Sequence, residues 1–96
     1  MVDDIECRIV RAIDIVEVIH EKTAVSPLGD EWIARCPFHH DMTYSLGVSP
    51  YRQEFRCLAC GAAGNVIDFV RSFNRIHRED AVQMLAHRAG LNIEPR

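Results

Sequence analysis

Two pairs of metal-ligating residues constrain this chain more than any other feature. They are Cys36-Pro37-Phe38-His39 and Cys57-Leu58-Ala59-Cys60, with 17 residues between them. A two-residue gap lets both side chains of a pair reach one ion from a single tight turn. Gly61 follows the second pair, where such a turn often needs a positive φ that glycine adopts without steric cost. Pro37 fixes the chain at the first turn. Three thiolates and one imidazole make a closed, tetrahedral, structural zinc site, whereas an open catalytic zinc usually keeps a water. Soft sulfur ligands disfavour magnesium and calcium. Iron and a redox dithiol are the alternatives to zinc. His40 is a rival ligand, but the spacing favours His39. Three thiolates on Zn²⁺ leave one negative charge, which Arg35 and Arg56, each immediately before a ligand cysteine, can offset.

A metal suits a chain of this size. The 96 residues, 48% of them hydrophobic, read as one domain, 1–96, whose core is modest because small domains bury proportionally less surface. Structural zinc adds on the order of 10 kcal/mol to folding, as much as a whole domain's stability. The start, MVDDIEC, is acidic with no apolar core of a secretory leader, and no apolar run approaches the ~20 residues of a membrane span. The expected setting is therefore cytoplasmic, without membrane partners. Thiols stay reduced there, which favours metal over disulfides. Cys7 lies in a helical pattern and reads as a small buried residue, while His20, His77 and His87 read as surface or helix-end residues. No Ser/His/Asp set, glycine-rich phosphate loop or paired carboxylate stands out, so the chain is not expected to be an enzyme by itself.

The periodicity predicts an α+β fold: a zinc ribbon, about 23–61, on a small antiparallel sheet between helices at about 4–20 and 65–89. Apolar residues at 5, 9, 13 and 16 fit a helical face. Asp3 or Asp4 caps its start, and Asp14 inside the pattern makes it one bent helix or two short ones. TAVSPLGDEWIAR reads as a hairpin turning at Pro-Leu-Gly-Asp, and YSLGVS and RQEFRC as two strands joined at Pro50-Tyr51. Asn65 caps a helix with Val66, Phe69, Val70 and Phe73 on one face. A last helix carries Ala81, Val82, Leu85 and Ala89, with Gly90 and Leu91 as its C-terminal cap.

Charge is unevenly spread. Residues 1–31 carry eight acids and three bases, residues 32–78 six arginines and three acids, and residues 79–96 three acids and two bases, so only the segment with the ligand pairs is positive. Ten of the eleven basic residues are arginine, which suits forked contacts to phosphate. Arg71, Arg75 and Arg78 share a face if one helix runs through them. They then form either a phosphate-contacting stripe or a solvated face partly neutralised by Asp68.

Cys36-Pro37-Phe38-His39, the TYSLGV stretch and the run from Cys57 to Val70 together resemble the zinc-binding domain of bacterial and phage DNA primases of the DnaG type. The segment from Asp14 to Ile19 is similar to that family's N-terminal helix motif, and Ala81-Val82, Leu85-Ala86 and Gly90-Leu91 to its final helix. The resemblance implies a zinc ribbon with surrounding helices, one structural Zn²⁺, and contact with single-stranded template that assists primer synthesis in DNA replication. It implies a stand-alone module without the family's polymerase domain, with that domain or another replication protein as partner in trans. Where the family commonly has Lys-Thr-Pro-Ser-Phe, this chain has Met42-Thr43-Tyr44-Ser45-Leu46, and Leu58 replaces a frequent aromatic. Strand binding combines a positive groove with aromatic platforms. The expected nucleic-acid residues are therefore Arg35, Tyr44, Arg52, Phe55 and Arg56. The alternatives are a protein-interaction adaptor that has kept the ribbon and lost DNA binding, and a thiol redox switch.

Overall fold

A computed structural model describes residues 4–91. The N-terminal pattern resolves into two helices, α1 (Ile5–Ala12) and α2 (Ile15–His20). Asp4 caps α1 by accepting from the Glu6 N–H, and Asp14 caps α2 by accepting from the Val16 N–H. The break is therefore Asp14 starting a new helix where the first one ends.

Five strands follow: β1 (Val25–Leu28), β2 (Glu31–Ala34), β3 (Leu46–Ser49), β4 (Glu54–Cys57) and β5 (Ala63–Gly64). They form one antiparallel sheet in sequence order. The first hairpin turns on Gly29 and Asp30 alone, with Gly29 at φ 62, so Pro27 and Leu28 belong to the strand rather than the turn. Pro27 has no N–H to donate and lies on an edge strand, where proline is tolerated. Gln53, also left-handed at φ 56, ends the β3–β4 turn. Its Oε1 accepts the Ile15 N–H at 2.8 Å and its Nε2 donates to Pro50 O at 2.8 Å, tying the turn to the start of α2.

Two helices close the fold, α3 (Val66–Asn74) and α4 (Arg78–Ala89). Asn65 and Asp68 form a reciprocal capping box at α3. Arg75 ends that helix in left-handed backbone, φ 56, so no continuous helix joins Arg71, Arg75 and Arg78. Arg78 opens α4 and pairs with Glu6 of α1 and Asp68 of α3, each at 2.9 Å. The arginine stripe does not form. At the far end Gly90 takes φ 74, and the Leu91 N–H donates to Ala86 O at 2.8 Å.

Side chains alternate along the strands. Leu46, Val48, Phe55 and Cys57 point to one face of the sheet, where α1, α2, α3 and α4 supply Ile9, Ile15, Ile19, Phe69 and Leu85 to a continuous core. Among the described residues no helix covers the opposite face of the sheet. Cys7 lies on the exposed side of α1, not in the core. Among the described residues no helix is long and apolar enough to cross a membrane.

Candidate metal centre and the open sheet face

The two ligand pairs sit at the ends of β2 and β4, the strands that flank β3. The register sets Leu46 of β3 beside Ala34 on one side and Cys57 on the other. The turns that leave β2 and β4 therefore start from neighbouring points at one end of the sheet. The turn after β4 is fixed by Gly61, at φ 82, whose N–H donates to Cys57 O at 3.0 Å. Leu58 N–H donates to Ser45 O at 3.1 Å, joining this turn to the segment entering β3.

The Sγ atoms of Cys36, Cys57 and Cys60 and a ring nitrogen of His39 all lie within 4.8 Å of one another. Cys36 Sγ is 3.9 Å from Cys60 Sγ, and His39 Nε2 is 3.2 Å from Cys57 Sγ. A tetrahedral zinc with bonds of about 2.3 Å to sulfur separates two sulfurs by about 3.8 Å. The donor set and its spacing thus fit one structural zinc. His40 is exposed and outside the cluster. In each knuckle a backbone N–H points at the first sulfur: Phe38 N to Cys36 Sγ and Cys60 N to Cys57 Sγ, both at 3.4 Å.

The two buried thiols are tuned in opposite directions when no metal is present. Burial pushes the Cys36 thiol up to about 12. Burial also acts to raise Cys57, but the N–H groups of Cys60 and Ala59 and the His39 ring outweigh it and bring Cys57 down to about 6. His39 is raised above its usual value, first by its bond to Cys57.

Asp41 is the residue that spacing arguments overlooked. Its carboxylate is buried and accepts the N–H groups of Cys36 at 2.8 Å, Thr43 at 2.9 Å and Ser45 at 2.7 Å. The Thr43 and Ser45 hydroxyls also donate to it. These bonds, led by that from Cys36, hold the carboxyl well below the usual range. An acid two residues past a ligand, with Thr and Ser at alternate positions after it, was the available signal, because such residues bind local backbone in turns.

The structure distributes the five expected nucleic-acid residues unevenly. On the open face, Ile33, Gly47, Arg56 and Ala63 form one cross-strand row. Arg35 follows β2 at the metal end, and its guanidinium carbon stands 5.3 Å from the centre of the Tyr44 ring. Arg52 is exposed in the β3–β4 turn, at the other end of the open face. Phe55 does not join them. It points into the core, 3% exposed, between Phe38 and Phe69 at centroid distances of 5.9 and 5.6 Å. No base can stack on it while the fold is intact.

Residues 2–96 match the family described as the CHC2 zinc finger, the DnaG-type zinc ribbon. The chain is 40% identical over 80 residues to the DNA primase of Haemophilus influenzae and 40% identical over 80 residues to that of Pseudomonas aeruginosa. Each match covers 83% of this chain but only 14% and 12% of the respective primase. Among solved structures it is similar to the Aquifex aeolicus primase, zinc-binding and RNA polymerase domains, with a TM-score of 0.89 and 39% identity over 98% of this chain and 23% of that one.

Proposed function

The chain belongs to the family of DnaG-type primase zinc ribbons, and from that premise we propose that it is a single-strand-binding module that assists primer synthesis in DNA replication. It corresponds to the zinc-binding part of a primase, so polymer synthesis falls to a separate catalytic domain. The observation that carries the reading is the sheet face that no described helix covers, with Tyr44 and Arg56 at its metal end and Arg35 beside the Tyr44 ring. Arginine there meets phosphate, and the tyrosine ring offers a base a stacking surface. The other end is less hospitable to phosphate. Ser49 and Glu54 pair across β3 and β4 there, and Glu31 and Asp30 line the same end. A strand therefore crosses the sheet near the zinc, with Arg52 reached only from the flank.

The test is fluorescence anisotropy of a labelled single-stranded oligonucleotide against zinc-loaded protein over a salt series. Binding is expected to weaken with salt, and each phosphate contact removed by Arg35→Ala or Arg56→Ala is expected to lower the slope of log K against log salt by about 0.7. Absence of binding at high micromolar protein, with zinc confirmed, would reject the reading. One observation favours a second function, a protein adaptor. Leu58 and Met42, each near the metal ligands in sequence, are 81% and 69% exposed, and a partner protein would cover such apolar side chains.

A further inference from the structure

Tyr44 is the only exposed aromatic at the metal end of the described chain, and its placement is unusual in two respects. Its backbone is left-handed, φ 55, a region rarely used by bulky residues and closed to proline. It also stands between two residues, Thr43 and Ser45, whose N–H groups are both held by Asp41. The same carboxylate takes the N–H of Cys36, a zinc ligand. Oδ2 accepts from Cys36 and Ser45, while Oδ1 accepts from Thr43, so both oxygens are needed to close the set. The tyrosine is thus the apex of a loop whose two shoulders are fastened to the knuckle of the metal centre. Its ring is held against the Arg35 guanidinium, which leaves Cys36's own neighbour as the second half of the surface.

We propose that Asp41 is a positioning residue that couples the zinc knuckle to a composite base-stacking platform made of Tyr44 and Arg35. This rests on the single-strand reading above and specifies which residues receive a base and what holds them. The pair presents an aromatic ring beside a cation, which suits a base and its adjoining phosphate together. Asp41 touches neither directly. It acts by fixing the strained turn that presents Tyr44 to the N–H of Cys36 in the knuckle.

The experiment is a mutant cycle read by zinc content, anisotropy and quenching of a 2-aminopurine base in the oligonucleotide. Tyr44→Ala is expected to weaken binding about 10-fold and to abolish the quenching, while Tyr44→Phe restores both. Asp41→Asn can accept at one end of the side chain only, and is expected to keep zinc but lose most of the same binding. The double variant Asp41→Asn/Tyr44→Ala is expected to bind no worse than Tyr44→Ala alone, since Asp41 acts through Tyr44. A merely structural Asp41 gives additive losses, which would overturn the coupling. Should Asp41→Asn lose zinc, Thr43→Val/Ser45→Ala removes the hydroxyl donors from the carboxylate and is read in the same cycle. If the wild-type chain binds but Tyr44→Ala binds equally well, the platform is wrong and the single-strand reading stands. If the wild-type chain does not bind, both fall.

Discussion

Gly64 shows how much one missing methyl group can decide. Its φ is 149, and a Cβ there would stand 2.4 Å from Asp68 Oδ2 and 2.5 Å from Asp68 Cβ. The carboxylate has little freedom to yield, because it accepts the Asn65 N–H at 2.9 Å and Arg78 Nη1 at 2.9 Å. Backbone strain of about 1–3 kcal/mol adds to a helix cap worth about 1 kcal/mol. Gly64→Ala is therefore expected to lose about 2–4 kcal/mol in urea unfolding of the zinc-loaded protein. A loss below about 0.5 kcal/mol would show that Asp68 is not held as described. Individual residues were legible in the sequence when their role was set by near neighbours. The four ligands announce themselves by spacing, and Asn65 by its place before an apolar run. Phe55 was misplaced because neighbouring strand residues point to opposite faces, so it shares a face with the ligand Cys57 and not with Arg56. Asp41 was overlooked because most of its partners are backbone N–H groups, and the alternating Thr43 and Ser45 after it were the one trace they left in the sequence.

At the scale of elements, periodicity located the helices and the four longer strands, and local chemistry located most ends. β5, two residues long, carries too little pattern to be seen, and exists because Ala63 and Gly64 pair with β4. The arginine stripe failed because Arg75 turns left-handed, which no propensity favours for arginine. Arg78 instead clamps three helices: its cation is raised above its usual value, first by Glu6 and then by Asp68. The Arg78 side chain is 41% exposed, so solvent screens the pairs. Arg78→Met is expected to cost about 1 kcal/mol, and Arg78→Lys to recover only part of it, since lysine cannot fork. Unfolding curves of the two variants would check this, and equal stability of Met and Arg would refute the clamp. Arg88 and Glu21 join α4 to α2 in a more exposed pair. The bond to Arg88 lowers Glu21 below its ordinary 4.5, so its contribution is present above that pH and is lost as the pH falls through the lower folded value. Arg88→Ala is expected to cost within about 0.5 kcal/mol near neutral pH and nothing once Glu21 is protonated in both states.

For the whole molecule, the metal centre decides whether sheet and helices remain one body. The helices share Ile9, Phe69 and Leu85 with no help from zinc, but the sheet's metal end is closed by the first knuckle, whose Phe38 covers Phe55 and Phe69. Removing an ion worth on the order of 10 kcal/mol should free that knuckle and the strands it joins. Complete chelation is expected to abolish strand circular dichroism and shift Trp32 fluorescence to the red, and an unchanged spectrum would refute this. The same site should bind zinc in a strongly pH-dependent way. Where the knuckle stays closed without the metal, burial holds the Cys36 proton up to about 12, and where it opens the thiol returns to an ordinary value near about 8.5. At neutral pH the metal must displace that proton in either case. Cys57, at about 6, is already largely a thiolate at pH 7, but becomes protonated as the pH drops below that value. His39, raised by its contact with Cys57, must also give up any proton before it can bind. Every one of these steps favours the ion as protons are withdrawn. Zinc affinity is therefore expected to rise at least about tenfold per pH unit between 7 and 8, and more steeply below 6. Competition against a chelator of known protonation behaviour measures the slope directly. A flat profile across that range would mean that the ligand thiols are already thiolates before the metal arrives.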